Sequence, residues 1–177
     1  MAGHNKWTQI KRQKEKTDAA KSRAFAKFAR LITAEAKKAS GNRDASGLKV
    51  AIERAKAVNM PADNIERAIK KAMGEDAKTM ESLVYEAYGP GGCALIIDTL
   101  SDSRNRTAQE IKHLLSEHKA NLAGPGAASW AFEKNNEGEL SATTTVPISE
   151  SDVEALDKLV DALEAHDDVQ AVYTNAE

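Results

Sequence analysis

The feature that most constrains the fold of this chain is a change of hydrophobic period near Gly74. Before it, apolar residues recur every three or four positions, which is the spacing of one face of an α-helix. After it, alternating or continuous apolar segments indicate β-strands, with two more helical segments between them. The sequence therefore predicts an α+β protein in which a helical part precedes a part built on a sheet.

The charge of the chain changes at almost the same point. Residues 1–73 hold 18 of the 25 Lys and Arg but 7 of the 27 Asp and Glu, a net charge of +11. Residues 74–177 have a net charge of −13. The overall charge of −2 therefore conceals a basic N-terminal part and an acidic C-terminal part. A basic segment of this kind attracts a polyanion, and the binding is salt-dependent because each neutralised phosphate releases counterions. The first hypothesis is a nucleic-acid binder.

The basic part is predicted to be a small three-helix domain at 1–74 that begins with an N-terminal arm. Thr17 and Asp18 are suited to cap the first helix, and Pro61 is suited to the first turn of the third. Residues 75–80 are predicted to be a linker. The acidic α+β domain then occupies 81–177.

The acidic part is predicted to be a ferredoxin-like βαββαβ domain with an extra strand in a hairpin at its beginning. Both helices of such a domain lie on one face of the sheet. A glycine-rich turn at 89–92 joins the extra strand to a buried one. The predicted elements after this turn are the strand Ala94–Leu100, the helix Arg104–His118, the strands Ser129–Glu133 and Leu140–Val146, a helix capped by Ser149 or Ser151, and the strand Val169–Tyr173.

The best candidate binding residues are the cations of the arm and the first helix. The alternative interpretation is that these side chains form a solvated helix face. Trp7 either stacks on a nucleobase or fills a gap in the protein. The candidate cations are Lys6, Lys11, Arg12, Lys14, Lys16, Lys21, Arg23, Lys27 and Arg30.

A second candidate contact lies at the start of the helix Arg104–His118. Backbone N–H groups favour an anion at a helix N-terminus, and Arg104 and Arg106 could hold a second phosphate there. The alternative is that Asp102 or Ser103 caps the helix while the arginines pair with Glu110 or stay in solvent. Neither segment predicts sequence-specific base recognition, because no set of Asn, Gln and Arg lies on a recognisable recognition helix.

The sequence offers little for catalysis or for a bound metal. Cys93 is the only cysteine, so neither an intrachain disulfide nor a cysteine-based zinc site is expected. His113 and His118 are five residues apart and do not share a helix face. We expect no enzymatic activity, no cofactor, no metal and no membrane partner. A cytoplasmic location and a monomer are the default expectations.

Five segments, in order along the chain, resemble the YebC/PmpR family of bacterial proteins and their mitochondrial relatives. The segments are MAGHNKW at 1–7, NMPADNIERAI at 59–69, YEAYGPGG at 85–92, DSRNRT at 102–107 and DDVQAVY at 167–173. The resemblance implies a helical N-terminal domain and two α+β domains, of which the third is inserted within the second. This chain has only the turn-forming residues Asn135–Gly138 where the insertion would follow Lys134, which predicts a short form without the third domain.

The resemblance implies two functions and does not choose between them. Members of the family are described as DNA-binding transcriptional regulators and as ribosome-associated factors that help translation through difficult, often proline-rich, stretches. We favour ribosomal RNA on the translating ribosome, with duplex DNA as the alternative. A third hypothesis is a protein-interaction adaptor whose acidic domain binds a basic partner. Salt dependence separates an adaptor contact built on an apolar patch from the others, because phosphate binding weakens steeply as salt rises.

Overall fold

The structure is a computed structural model that describes residues 18–75, 77–136 and 139–177. The described residues up to Glu81 form one compact unit, and those from Ser82 onward form another. The division falls beside the segment 75–80 that is predicted to be a linker. Thr17 and the predicted arm lie outside the described residues, and with them the candidates Lys6, Trp7, Lys11, Arg12, Lys14 and Lys16.

The first unit contains the three predicted helices, α1 (Asp18–Lys38), α2 (Ser46–Ala57) and α3 (Ala62–Ala72). Left-handed residues end the first two of them: Gly41 has φ +78° after α1, and Asn59 has φ +61° after α2. Pro61 precedes α3 directly, where its fixed φ is compatible with a helix start.

Small side chains let the three helices pack closely. Alanines alternate with Ile32, Leu48 and Ile69 in the buried cluster that joins them. The hydroxyl of Thr33 lies 2.8 Å from the carbonyl oxygen of Ala29 and 3.1 Å from that of Ala68. One hydroxyl hydrogen is thus shared between a bond within α1 and a bond to α3, and this sharing ties the two helices together.

The described residues from Glu81 onward form six strands and two α-helices. The strands are β1 (Glu81–Tyr88), β2 (Ala94–Ser101), β3 (Asn121–Ala123), β4 (Phe132–Lys134), β5 (Leu140–Ala142) and β6 (Val169–Thr174). The helices are α4 (Arg104–Glu117) and α5 (Glu150–Ala165). Ser149 caps α5, since its hydroxyl oxygen accepts the backbone N–H of Asp152 at 3.2 Å.

Four of the strands form a sheet in the order β3-β1-β2-β6, and β4 and β5 pair with each other in a separate hairpin. The two faces of β2 contact different partners. Leu95 and Ile97 belong to a core that includes residues of α4 and α5, whereas Ala94 and Ile96 pack with Phe132 and its neighbours. Burial on both faces explains why the residues of β2 form a near-continuous apolar run.

The predicted α+β class is confirmed, and so are both helices on one face of the sheet. The predicted ferredoxin-like βαββαβ arrangement would place β4 and β5 in the main sheet, whereas in the structure they pair with each other in a separate hairpin. Other strand details differ as well. β3 was not predicted, the strand expected at 129–133 begins only at Phe132, and the one expected at 140–146 ends at Ala142. One cause is Glu86, whose carboxylate binds the N–H groups of Ala128 and Ser129 and removes them from strand pairing. Within the described part of the chain, every helix is too short or too polar to cross a bilayer.

Candidate nucleic-acid interface

Three of the predicted cations share one stripe of α1. Arg23, Lys27 and Arg30 are spaced by four and three residues, which brings them together on a helix of 3.6 residues per turn. Arg23 is exposed, and Lys27 and Arg30 are half-buried. Lys21 is exposed but lies about 200° round the helix from Arg23. The structure therefore does not place Lys21 with the other three, which we call the α1 row.

Arg30 also lines a groove between α1 and α3 that has a volume of about 600 Å³. We call it the α1–α3 groove. Its apolar lining comes from Phe25, Ala26 and Ala29 on one side and from Met60 and Ala68 on the other. Asn64, Arg67 and Lys71 of α3 also line it, so that it carries three cations in all.

The two cations that α3 contributes are exposed and remain available to a ligand. Arg67 donates to the side-chain oxygen of Asn64 at 2.8 Å. Among the residues that the structure describes, neither Arg67 nor Lys71 forms an ion pair with a carboxylate. The neighbouring Glu66 is paired with Arg43, and this bond lowers the pKa of the Glu66 carboxyl below its ordinary value.

Arg67 and Lys71 were not among the predicted site residues, because the sequence places them only on the polar face of their helix. The signal that could have found them is the spacing of Asn64, Arg67 and Lys71, which puts the three on one stripe. The motif at 59–69 also supplies Met60 to the groove. That α1 packs beside this stripe depends on tertiary contacts, which the spacing alone does not reveal.

The start of α4 is organised by ion pairs. Arg106 lies 3.0 Å from a carboxylate oxygen of Asp102, 2.7 Å from one of Asp168 and 3.6 Å from one of Glu110. Arg104 is exposed, about 200° round the helix from Arg106. The two arginines are therefore not aligned to hold one phosphate, and the geometry of Arg106 agrees with the alternative in which it pairs with acidic neighbours.

A buried network extends from this ion pair. Asp168 is 2% exposed and also accepts the hydroxyl of Thr107 at 2.6 Å. Nδ1 of His166 accepts the backbone N–H of Asp168 at 3.1 Å, so Nε2 carries a hydrogen and donates to Glu110 at 2.8 Å. Ligand atoms of Glu110, His166 and Asp168 lie within 4.8 Å of one another. A metal ion there would compete with the Arg106 guanidinium, which favours a structural role for the network.

The motif at 85–92 organises the other face of the sheet. Glu86 accepts the backbone N–H groups of Gly126 at 2.7 Å, Ala128 at 2.7 Å and Ser129 at 2.8 Å, and the hydroxyl of Tyr88 donates to the carbonyl of Ala127. Partial burial alone would raise the pKa of the Glu86 carboxyl, but these donors lower it below its ordinary value. The two side chains hold the loop that leads into β4.

The single cysteine is poorly suited to nucleophilic chemistry. Cys93 is fully buried, and burial raises the pKa of its thiol. A thiol with a raised pKa stays protonated at neutral pH, whereas the thiolate is the reactive form. This placement agrees with a packing role for Cys93.

Two family models match the chain along nearly its whole length. The TACO1/YebC protein N-terminal domain matches residues 5–75, which include the α1 row and the α1–α3 groove. The model of the TACO1/YebC second and third domain matches in two pieces, residues 80–139 and 133–176. The two pieces meet at the β4–β5 hairpin, where the sequence predicts that an inserted domain is absent.

Individual proteins show the same relationship. A protein of Halothermothrix orenii, named "Probable transcriptional regulatory protein", is 42% identical over 99% of this chain and 70% of its own length. One of Caldanaerobacter subterraneus subsp. tengcongensis, given the same description, is 36% identical over all of this chain and 98% of its own length. That second alignment spans 239 positions against the 177 residues of this chain, so it contains long gaps.

The fold has a counterpart among solved structures. The crystal structure of a conserved hypothetical protein from Aquifex aeolicus matches with a TM-score of 0.78 and 29% identity, over 90% of this chain and 91% of that one. The matches to sequence models, to relatives and to a solved structure all cover both compact units. The chain is accordingly a member of the TACO1/YebC family.

Proposed function

We propose that this chain is a non-enzymatic nucleic-acid-binding regulator of gene expression that associates with ribosomal RNA and aids elongation through difficult stretches. The observation that carries the proposal is the clustering of cations on the helical unit. Arg23, Lys27 and Arg30 follow one stripe of α1, and Arg67 and Lys71 follow one stripe of α3. These helices belong to a segment with a net charge of +11. Such a surface supports contacts to a phosphate backbone.

The names of the relatives support the broader part of the proposal, a role in regulating gene expression. The proposed association with ribosomal RNA is supported by the character of the basic surface on α1 and α3. Basic stripes without a base-reading helix suit recognition of backbone and shape, by which structured RNA is often bound. Non-enzymatic action is supported by the buried, protonated Cys93 and by the engagement of Asp168 and His166 in internal bonds.

The second candidate function is regulation of transcription through duplex DNA, and the names of the relatives favour it. The same cations would then contact DNA phosphates. The two candidates differ in which polyanion, ribosomal RNA or duplex DNA, the protein binds when both are present. An adaptor whose contact is built on an apolar patch would differ from both, because such an interface is nearly insensitive to salt.

The experiment that tests the proposal is co-sedimentation of the protein with ribosomes at near-physiological salt, with excess unrelated duplex DNA as competitor. Retention on the ribosome despite the DNA is the expected result. Transfer to the DNA would contradict the ribosomal part and favour the transcriptional candidate. A variant with Lys21, Arg23, Lys27 and Arg30 all changed to Glu is expected to lose binding. Its thermal stability is measured beside it, because Lys21 and Arg23 are exposed and contribute little to folding, whereas Lys27 and Arg30 are half-buried. Unaltered binding by that variant would show that α1 is not the binding surface.

A further inference from the structure

We infer that the α1–α3 groove holds one unpaired nucleotide of a single-stranded RNA segment, with its base against Phe25 and its phosphates on Arg30, Arg67 and Lys71. The inference rests on the proposed function and adds to it the part of the nucleic acid that is bound. A basic surface alone would hold paired and unpaired strands alike. A groove that admits a base would select unpaired strands.

The size of the groove suits such an occupant. Its volume of about 600 Å³ is within the range of small-molecule sites, roughly 300–1,000 Å³. The bases of a duplex are stacked and paired in its interior and enter a protein pocket only after they are extruded. An unpaired nucleotide enters without that cost, which makes a single-stranded loop or end the favoured partner.

The surface of the groove suits a nucleobase. Phe25 is half-buried, and it packs on the core cluster that includes Ile32 and Leu48. A ring supported in this way is held in place before a ligand arrives, so little side-chain entropy is lost when a base stacks on it. Met60 is 5% exposed and adds a polarisable thioether to the same lining.

The polar residues of the groove suit phosphates and base edges. Arg30, Arg67 and Lys71 provide three cations in a lining that also contains Thr33, Asn64 and apolar side chains. Because Asn64 Oδ1 accepts from Arg67, the amide orientation is set and Nδ2 is left as a donor for a base carbonyl or a phosphate oxygen. This charge complementarity identifies the occupant as an anion with a flat apolar part.

The test uses a short single-stranded RNA with one 2-aminopurine base and the duplex formed from the same sequence. Ala26→Trp fills the groove from an exposed position without changing the charge. Ala57→Trp, at an exposed position on α2 outside the groove, is its control. For the wild type and the control we expect a change in 2-aminopurine fluorescence and tighter binding of the single strand than of the duplex. For Ala26→Trp we expect the fluorescence change to disappear and single-strand affinity to fall at least fivefold, since base stacking on an aromatic ring contributes roughly that much or more.

A second variant keeps the test decisive if Ala26→Trp does not fold. Phe25→Leu retains an apolar side chain against the core but removes the stacking surface, and we expect a similar loss for the single strand with little change for the duplex. Wild-type affinity for the single strand in every variant of the two that folds would overturn the inference and leave the proposed function intact. If the wild-type protein binds neither RNA nor ribosomes, the proposed function fails and the inference fails with it.

Discussion

Arg106 and Asp168 are 62 residues apart in the chain, and their side chains are joined by a bond of 2.7 Å between Nη2 and Oδ2. Each belongs to one of the segments that carry the family resemblance, DSRNRT at 102–107 and DDVQAVY at 167–173. The bond ties the first turn of α4 to the residues that lead into β6. Two segments that resemble separate motifs in the sequence are thus one structural unit.

Replacement of Asp168 by Ala is expected to destabilise the α+β unit by about 2–3 kcal/mol. The change removes a buried acceptor from the Thr107 hydroxyl and a charged partner from Arg106. Urea unfolding followed by Trp130 fluorescence, in a Trp7→Phe background, reports on this unit. Arg104→Ala, which removes an exposed arginine from the same helix turn, is the control and should change stability by less than about 0.5 kcal/mol. Equal stability of Asp168→Ala and the control would contradict a structural role for the network.

Replacement of Glu86 by Gln is expected to destabilise the same unit at neutral pH by about 1–2 kcal/mol, because a neutral amide accepts the three backbone N–H groups less well than a carboxylate. The pKa of Glu86 is lowered in the folded state. Its contribution is therefore complete above the ordinary glutamate pKa, about 4.3, and is lost as the pH falls through the lower folded pKa.

The measurement for Glu86 is the free energy of unfolding of wild type and variant across this acidic range. The difference between the two proteins should shrink as the pH decreases. Glu133→Gln, at an exposed position of β4, is the control that also replaces one carboxylate by an amide. A difference that stays constant with pH would mean that the ionised form of Glu86 is not what binds the loop.

Two glycines of the turn before β2, compared with Gly124 after β3, allow a graded steric test. A Cβ at Gly91, where φ is +68°, would lie 2.6 Å from Ile148 Cγ2, whereas Gly92 has φ +76° with open space and Gly124 has neither restriction. We expect Gly91→Ala to cost about 2 kcal/mol or more, Gly92→Ala about 1 kcal/mol, and Gly124→Ala to be neutral or slightly stabilising. The same unfolding assay ranks them, and a smaller loss at Gly91 than at Gly92 would refute the steric argument.

The double variant Arg67→Glu/Lys71→Glu tests whether the position of charge matters for binding. If both side chains contact phosphates, the slope of log affinity against log salt should decrease by about 2. Lys49→Glu/Lys56→Glu makes the same change in net charge at exposed positions of α2, away from the groove. Salt titrations of RNA binding should separate the two variants. Indistinguishable titrations would show that net charge, and not this surface, governs binding.

Local patterns were sufficient for most of the fold. The spacing of apolar residues by three and four positions predicted α1, α2 and α3, and a run of mostly apolar residues predicted β2. β3 was missed because it has three residues and exists through pairing with β1, Leu122 lying opposite Ala87. The strand expected at 129–133 was too long because the bonds from Glu86, more than 40 residues away, cannot be read from the segment itself.

The candidate site was predictable only in part. The α1 row follows from spacing within one helix, whereas the α1–α3 groove needs the packing of Arg30 beside Arg67 and Lys71. Arg106 shows the opposite case. Its position at the start of a helix predicted a phosphate contact. In the structure, Arg106 is instead paired with the carboxylates of Asp102, Glu110 and Asp168.

The tip of the β4–β5 hairpin closes tightly: Asn135 N–H donates to the Glu139 carbonyl at 2.8 Å, and Glu139 N–H donates to the Asn135 side chain at 2.9 Å. The end of β4 and the beginning of β5 are therefore adjacent at this point. A polypeptide of any length whose own ends are adjacent could be inserted or removed there. The hydrogen bonds between β4 and β5 would be kept. The hairpin tip is therefore a position at which a change in chain length leaves the pairing of β4 with β5 undisturbed.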